Sequence, residues 1–305
     1  MFLLRASLLL LLLLFLPGPL VAHDSPEHVI EILTARIKTV GERPELLWRR
    51  ATEHRALADY SAAAKDLKRA LKLRRDYVPA LVDLSRVQLM QGRRSEALRT
   101  IGRAMRVVTD ETSRAPLRMI KAEIHADSGN LTAALGECDR ALAGTGGAEL
   151  DWYLTRSQIQ CRLGRYAEAA EGLQRGFELT GSAVLEVESI DAMIDAAQYE
   201  AALIKVELAL AETRWQGSWL VRRARIRLGK GEVAAGHQDL AVAIVEMNRR
   251  LNPVHPESGL LSERGFAYAL LGDVGLAKRD LESAKRRGAE PVSLRRLELA
   301  LASQR

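Results

Sequence analysis

Small residues recur along this chain at a spacing close to 34, at Ala63, Ala97, Ala134, Ala169, Ala202, Gly236 and Ala277, with gaps of 34, 37, 35, 33, 34 and 41. A period of that length means that one supersecondary unit is stacked again and again, which leaves little room for a single-core enzyme fold. Seven positions after each comes a second small residue, at Ala70, Ala104, Ala141, Gly176, Ala209, Ala243 and Ala284. Between them, four positions in, stands an apolar residue: Leu67, Ile101, Cys138, Leu173, Val206, Leu240 and Leu281. Offsets of 0, 4 and 7 fall on one stripe of a helix, small where a neighbouring helix must come close.

Each of these helices has a partner upstream. Five residues before the first small position stands Gly92, Gly129, Gly164, Gly231 or Gly272, replaced by Ala58 and Ala197 in two units. A tight turn fits there, because glycine takes the left-handed backbone that ends a helix. Tyr60, Tyr166 and Tyr199 follow the turn in three units, as plugs between the helices. Seven before the turn is another small residue, Ala51, Ser85, Ala122, Ser157, Ala224 or Gly265, with Ile190 as the exception. Each unit therefore reads as helix, turn, helix. At 48% hydrophobic, 28% charged and only 5% aromatic, the composition suits helices and disfavours a β-sandwich.

This pattern resembles the tetratricopeptide repeat: small residue, Gly-x-aromatic turn, Ala, bulky residue, Ala. Residues 151–177 carry it most fully, with Trp152, Tyr153, Ser157, Gly164, Tyr166, Ala169, Leu173 and Phe177. The resemblance implies an all-α, right-handed superhelical solenoid of about seven helix-turn-helix repeats over 44–290. Solenoid ends need caps to cover the last apolar face. The segment 23–43 supplies one capping helix, opening at Ser25-Pro26-Glu27 and closing near Gly41, and Pro291 opens a second over 291–305. Distortion is expected in the fifth unit, which has Ile190 and Ala197, and in the third, which has Arg118 at an apolar place. The Asn252-Pro253-Val254-His255-Pro256 segment is expected to loosen the stack before the seventh unit.

Residues 1–22 read as a secretory signal, with Arg5, an apolar run from Ala6 to Leu16, and a cleavage point after Ala22. A run of that length falls short of the roughly 20 residues that span a bilayer. The expected location is periplasmic or secreted. The formal charge of +6 is mild for 305 residues, so nucleic acid is not an expected partner.

Catalytic motifs find no home. Gly229-Lys230-Gly231-Glu232-Val233-Ala234 fits a dinucleotide fingerprint in letters alone, since it joins two repeat helices and no strand precedes it. The expectation is a non-enzyme without cofactor. His23 and His28 form a weak alternative, an N-terminal copper or zinc site. Cys138 belongs to the buried stripe, while Cys161 sits in a first helix; whether they pair in an oxidising compartment is left open. Asn130-Leu131-Thr132 matches a glycan acceptor at a turn.

By the resemblance, first helices line a concave groove, and the place after each small residue points into it. That row holds Thr52, Arg86, Glu123, Gln158, Asp191, Arg225 and Phe266. Family members that grip an acidic peptide tail use Lys and Asn at groove sites; here those places hold Trp48, Val82, Met119, Thr52, Arg86 and Glu123, so that activity is not implied. The candidate contacts are Arg86, Glu123, Gln158, Asp191, Asp195 and Arg225, with the acidic fifth unit selecting a basic or mixed-charge peptide. Charge reversal at Asp191 and Asp195 is expected to abolish binding with helix content intact. The alternative to a groove-binding scaffold is a metal-handling protein or an accessory subunit held by its basic outer face to a membrane. That face carries Lys65, Lys68, Arg69, Lys72, Arg99, Arg103 and Arg106.

Overall fold

A computed structural model describes residues 25–145, 149–252, 254, 256–289 and 291–303. Residues 1–22, expected to be a signal, and His23 lie outside them, as do Pro253 and His255. All regular structure among the described residues is helical. The chain divides into two compact units, one ending at Asn130 and the other beginning at Leu131.

The first unit opens with α1 (Pro26–Val40), the expected cap. The Ser25 side chain accepts from the His28 amide, proline fills the first helical place, and Gly41 closes the helix at φ 84°. Then come α2 (Pro44–Ala56), α3 (Tyr60–Leu73), α4 (Val78–Met90), α5 (Arg94–Val107) and α6 (Glu111–Asp127). Leu47, Ala51, Ala63, Leu67, Ala70, Leu81, Ala97, Ile101 and Ala104 share one core, so the small and bulky stripes of the sequence do meet. The longer α6 takes in Pro116, and its extra first turn includes Glu111, which accepts from both Arg114 and Arg118. Arg118, at its apolar place, thereby gains a carboxylate partner on its own helix.

The second unit runs through α7 (Leu131–Thr145), α8 (Leu150–Arg162), α9 (Tyr166–Thr180), α10 (Ala183–Asp195), α11 (Tyr199–Glu212), α12 (Gly217–Gly229), α13 (Val233–Arg250), α14 (Ser258–Leu271), α15 (Val274–Arg286) and α16 (Pro291–Ala302). The even-numbered helices α2 to α14 are the first helices of the pairs. The fifth pair is regular: α10 has the 13 residues of α2, α4, α8 and α12, and Ile190 is buried in the core. Before the seventh pair the extra spacing goes partly into α13, which lengthens to 18 residues.

All seven interhelix turns share one hydrogen-bond pattern. The residue after the turn position returns its amide to the carbonyl five places before that position's follower, as Arg93 does to Gln88 (2.8 Å), Asp59 to His54 (2.8 Å) and Gln198 to Met193 (2.9 Å). The turn residue is left-handed in every case, and Ala58 and Ala197 adopt φ 57° where the others use glycine. Shared turn geometry thus overrides the local preference of alanine, at about 1–2 kcal/mol each. The aromatic plugs are uneven. Tyr199 lies under Gly229, whose missing Cβ makes its room, whereas Tyr166 is 36% exposed.

Candidate functional site

Within three helix pairs an arginine immediately before the small residue of the first helix meets an aspartate three places after the small residue of the second. Arg50 holds Asp66 by Nε (2.6 Å) and Nη2 (2.8 Å), Arg223 holds Asp239 (3.0 and 2.8 Å), and Arg264 holds Asp280 (2.8 and 2.6 Å). Each is a two-pronged, charge-assisted latch across sixteen residues, and each aspartate is buried. In the fourth pair Gly172 stands at the aspartate's place; Arg156 lies over it and turns to Asp139 instead (2.6 Å). Sequence reasoning missed these latches, although an Arg-small dipeptide followed sixteen residues later by Asp was there to be read.

The row after the first small residue supplies the candidate contacts. In the first unit Thr52 and Arg86 are half-exposed and Glu123 is exposed. Although exposed, the Glu123 carboxyl loses part of its hydration to the surrounding protein, which raises its pKa, and the nearby Arg86 charge works against that rise. Neighbouring first helices are tied on this side by Trp48, whose indole N–H donates to Asp83 Oδ2 at 2.6 Å and whose ring meets Tyr77 edge-on at 6.2 Å. Arg86 stands 3.6 Å from Asp83 as well.

In the second unit Gln158 is half-exposed, and the remaining candidates converge in one lattice. Asp191, on α10, is 1% exposed. Its Oδ2 accepts from Arg222 Nη2 (2.7 Å) and Nε (3.2 Å), and its Oδ1 accepts from Arg225, both on α12. Arg225 also donates to Asp195 (2.5 Å) and lies 5.8 Å from the Phe266 ring on α14. A third guanidinium comes from α16: Arg296 Nη1 is 3.1 Å from Asp191, and its Nη2 donates to Glu188 at 3.0 Å. Burial pushes the Asp191 carboxyl pKa up, but Arg222, Arg296 and Arg225 outweigh it and hold the group well below the usual carboxylate range.

The expected row therefore exists here, running from Asp191 through Arg225 to Phe266, but Asp191 is not open to solvent. It is the common counter-ion of three arginines, so its charge reversal perturbs the stack as well as any surface. A change expected to act on binding alone thus also acts on packing. Asp195, with 38% of its side chain exposed, is the acid of the lattice that remains reachable.

Elsewhere, His28 is exposed on α1 with Glu31 at 3.9 Å. Among the described residues no three His, Cys, Asp or Glu side chains converge as metal ligands, and no helix is long and apolar enough to cross a membrane. Cys138 is fully buried in its stripe and Cys161 half-buried, and both are thiols.

A tetratricopeptide repeat family model matches residues 54–124. No curated protein is significantly similar in sequence. Among solved structures, a tetratricopeptide repeat protein from Parabacteroides merdae superposes with a TM-score of 0.57 at 17% identity, over 85% of this chain and 98% of that one. A chain of the APC/C hetero-tetramer Cut9-Hcn1 superposes with a TM-score of 0.52 at 11% identity, over 90% of this chain and 46% of that one. Residues 54–124 thus match the tetratricopeptide repeat, the same helix pair recurs on both sides of that segment, and the chain shares the all-helical solenoid fold of these structures.

Proposed function

We propose that this chain is an exported, non-catalytic scaffold that binds a protein or peptide segment along the row that follows the small residue of each first helix. The observation that carries this reading is the division of labour between neighbouring positions. Ala51, Ser85, Ala122, Ser157, Ala224 and Gly265 are all buried in the seams, while the next residues, Thr52, Arg86, Glu123, Gln158, Arg225 and Phe266, keep part of their surface in water and vary in charge. Such a row can be altered to suit a partner without disturbing the packing beside it, which is how an extended binding surface acquires specificity. The fold is one used in protein assemblies, Cut9-Hcn1 being a hetero-tetramer by its description. Export rests on residues 1–22.

The test is site-specific photo-crosslinking in the full chain, expressed in its native host. A photoreactive residue at Arg86, Glu123 or Gln158 is expected to trap a discrete protein adduct, and one at the outward Lys68 is not. Adducts that form equally at Lys68 refute the row as the binding face. Mass analysis of the same protein tests export: a mature N-terminus at His23 supports it, and a retained Met1 overturns it.

A further inference from the structure

The last helix does not sit as the other first helices sit. In the second unit α10, α12 and α14 each pack more extensively on the second helix that precedes them than on the first helix before it, whereas α16 packs more extensively on α14 than on α15. Leu297 is buried against Gly265 of α14, where an added Cβ would meet Leu297 Cδ2 at 2.8 Å, and Leu294 and Leu301 are buried in the same cluster. Leaning onto α14 carries α16 across the row of first helices. Arg296 then reaches Glu188 and Asp191 on α10, more than a hundred residues earlier. Only a cleft of about 50 Å³ remains among Ser218, Ser262, Phe266, Ser293 and Arg296. That is room for one or two waters and for no ligand.

The electrostatics show what this place accepts. Without Arg296, four carboxylates, those of Glu188, Asp191, Asp195 and Glu263, face two guanidiniums, those of Arg222 and Arg225. Asp191 would still be bonded by both arginines of α12, so withdrawal of α16 strands no buried charge. It would leave an acidic recess walled by Phe266 and Val221, shaped for a guanidinium on an apolar helix face. The outer side of α16 adds to its detachable character, with Leu299 60% exposed.

We infer that α16 is a resident ligand of the second unit's binding row, that it holds the row closed, and that the partner which opens it is a helical segment presenting arginine to Glu188, Asp191 and Asp195. This deepens the scaffold reading and rests on it: the α10–α14 row would be available only when α16 gives way. Apparent affinity for the partner is then reduced by the fraction of molecules in which α16 is docked.

The probe is a fluorescent synthetic peptide of residues 289–305, titrated into the full chain and followed by anisotropy. Wild type, with its own α16 in place, is expected to bind at least tenfold more weakly than full chain carrying Arg296→Ala. Placing the same Arg296→Ala change in the peptide should weaken its binding at least tenfold. Glu188→Gln in the full chain should loosen α16 and yet bind the peptide less well than Arg296→Ala does, because it damages the receptor. Amide exchange across 291–302 should accelerate tenfold in Arg296→Ala while α14 and α15 hold. Should Arg296→Ala not fold, Arg296→Lys, which keeps the charge and loses the fork, is expected to give the same effects at smaller size. Equal peptide affinity for wild type and Arg296→Ala, or unchanged exchange in α16, overturns the inference. If the peptide fails while Arg86 still crosslinks a partner, the resident-ligand idea falls alone; if both fail, the scaffold reading falls with it.

Discussion

The Arg264–Asp280 latch offers the sharpest test of how each helix pair is held. Asp280 keeps 7% of its side chain in water and Arg264 keeps 20%, with both prongs short and Asn248 capping the guanidinium on its open side at 2.7 Å. Asp280→Ala strands an arginine that retains some water and one other partner, so it should cost about 2–3 kcal/mol, toward the low end for a broken buried pair. Arg264→Ala strands the more buried partner and should cost about 3–4 kcal/mol. Replacing both at once, Arg264→Met with Asp280→Leu, removes the two charges together and should stay within about 1 kcal/mol of wild type. The two single losses together should therefore exceed the loss in the double replacement by about 4 kcal/mol or more. Urea unfolding followed by far-ultraviolet circular dichroism gives the totals, and amide exchange of α14 and α15 localises the loss to the seventh pair. If the apolar double replacement costs as much as the two single changes added, the latch holds nothing and its recurrence has another origin. Asp239→Ala should cost more than Asp280→Ala, because Asp239 also accepts from Arg227 at 2.8 Å and two guanidiniums are then stranded.

Three other outcomes are expected. Ala197→Gly and Ala58→Gly should each stabilise by about 0.5–1 kcal/mol, since glycine takes φ 57° without the Cβ penalty; a lower urea midpoint in both refutes the strain. Gly102→Ala should gain up to about 1 kcal/mol, meeting nothing closer than Arg106 at 3.9 Å, while Gly176→Ala should lose about 1–3 kcal/mol against Tyr153 Cγ at 2.8 Å and Leu185 Cδ1 at 2.9 Å. Thermal melts of the pair moving in the same direction would contradict this. The third is a pH dependence. Asp191 has its folded pKa depressed, so its contribution is full above the unfolded carboxylate pKa near 4 and is lost progressively as pH falls below it. An Asp191→Asn chain should lose less stability than wild type between pH 5 and 2, and equal losses would discount the lattice.

The seams were legible because they depend on residue size at fixed offsets, and size is what a letter conveys. Ala63, Leu67 and Ala70 mark the stripe whatever else the chain does, and the shared turn could be placed at Ala58 and Ala197 by register even though neither is a glycine. Distortion of the fifth pair was expected from Ile190 and Ala197, and the pair is regular, because a buried isoleucine fills a seam that alanine would leave wider and the turn's hydrogen bonds outweigh the strain of one residue. The state of Asp191 was not legible in the same way. Its neighbours in sequence are acidic, so a local reading makes an open acidic surface. Its neighbours in space are Arg222 and Arg225 one pair onward and Arg296 on the last helix, and only packing brings that last one near. The division at Asn130 also had no local sign, since Gly129 makes the same turn as its six counterparts.

Two uses of arginine separate cleanly in this chain, and the separation says where a ligand can act. The latches of Arg50, Arg223 and Arg264 join the two helices of one pair and so fix the shape of a repeat. The lattice of Arg222, Arg225 and Arg296 joins first helices of different pairs through Asp191, on the row itself. Spacing between α10 and α12 thus depends on the same ions that an incoming basic segment would compete for. A partner that exchanges its arginine for Arg296 would conserve the charge balance around Asp191 and leave that spacing unchanged. One that brought only a lysine would supply the charge without the second prong to Glu188, and would leave one acceptor unsatisfied. Discrimination between arginine and lysine at this one place therefore follows from the geometry that holds the second unit together.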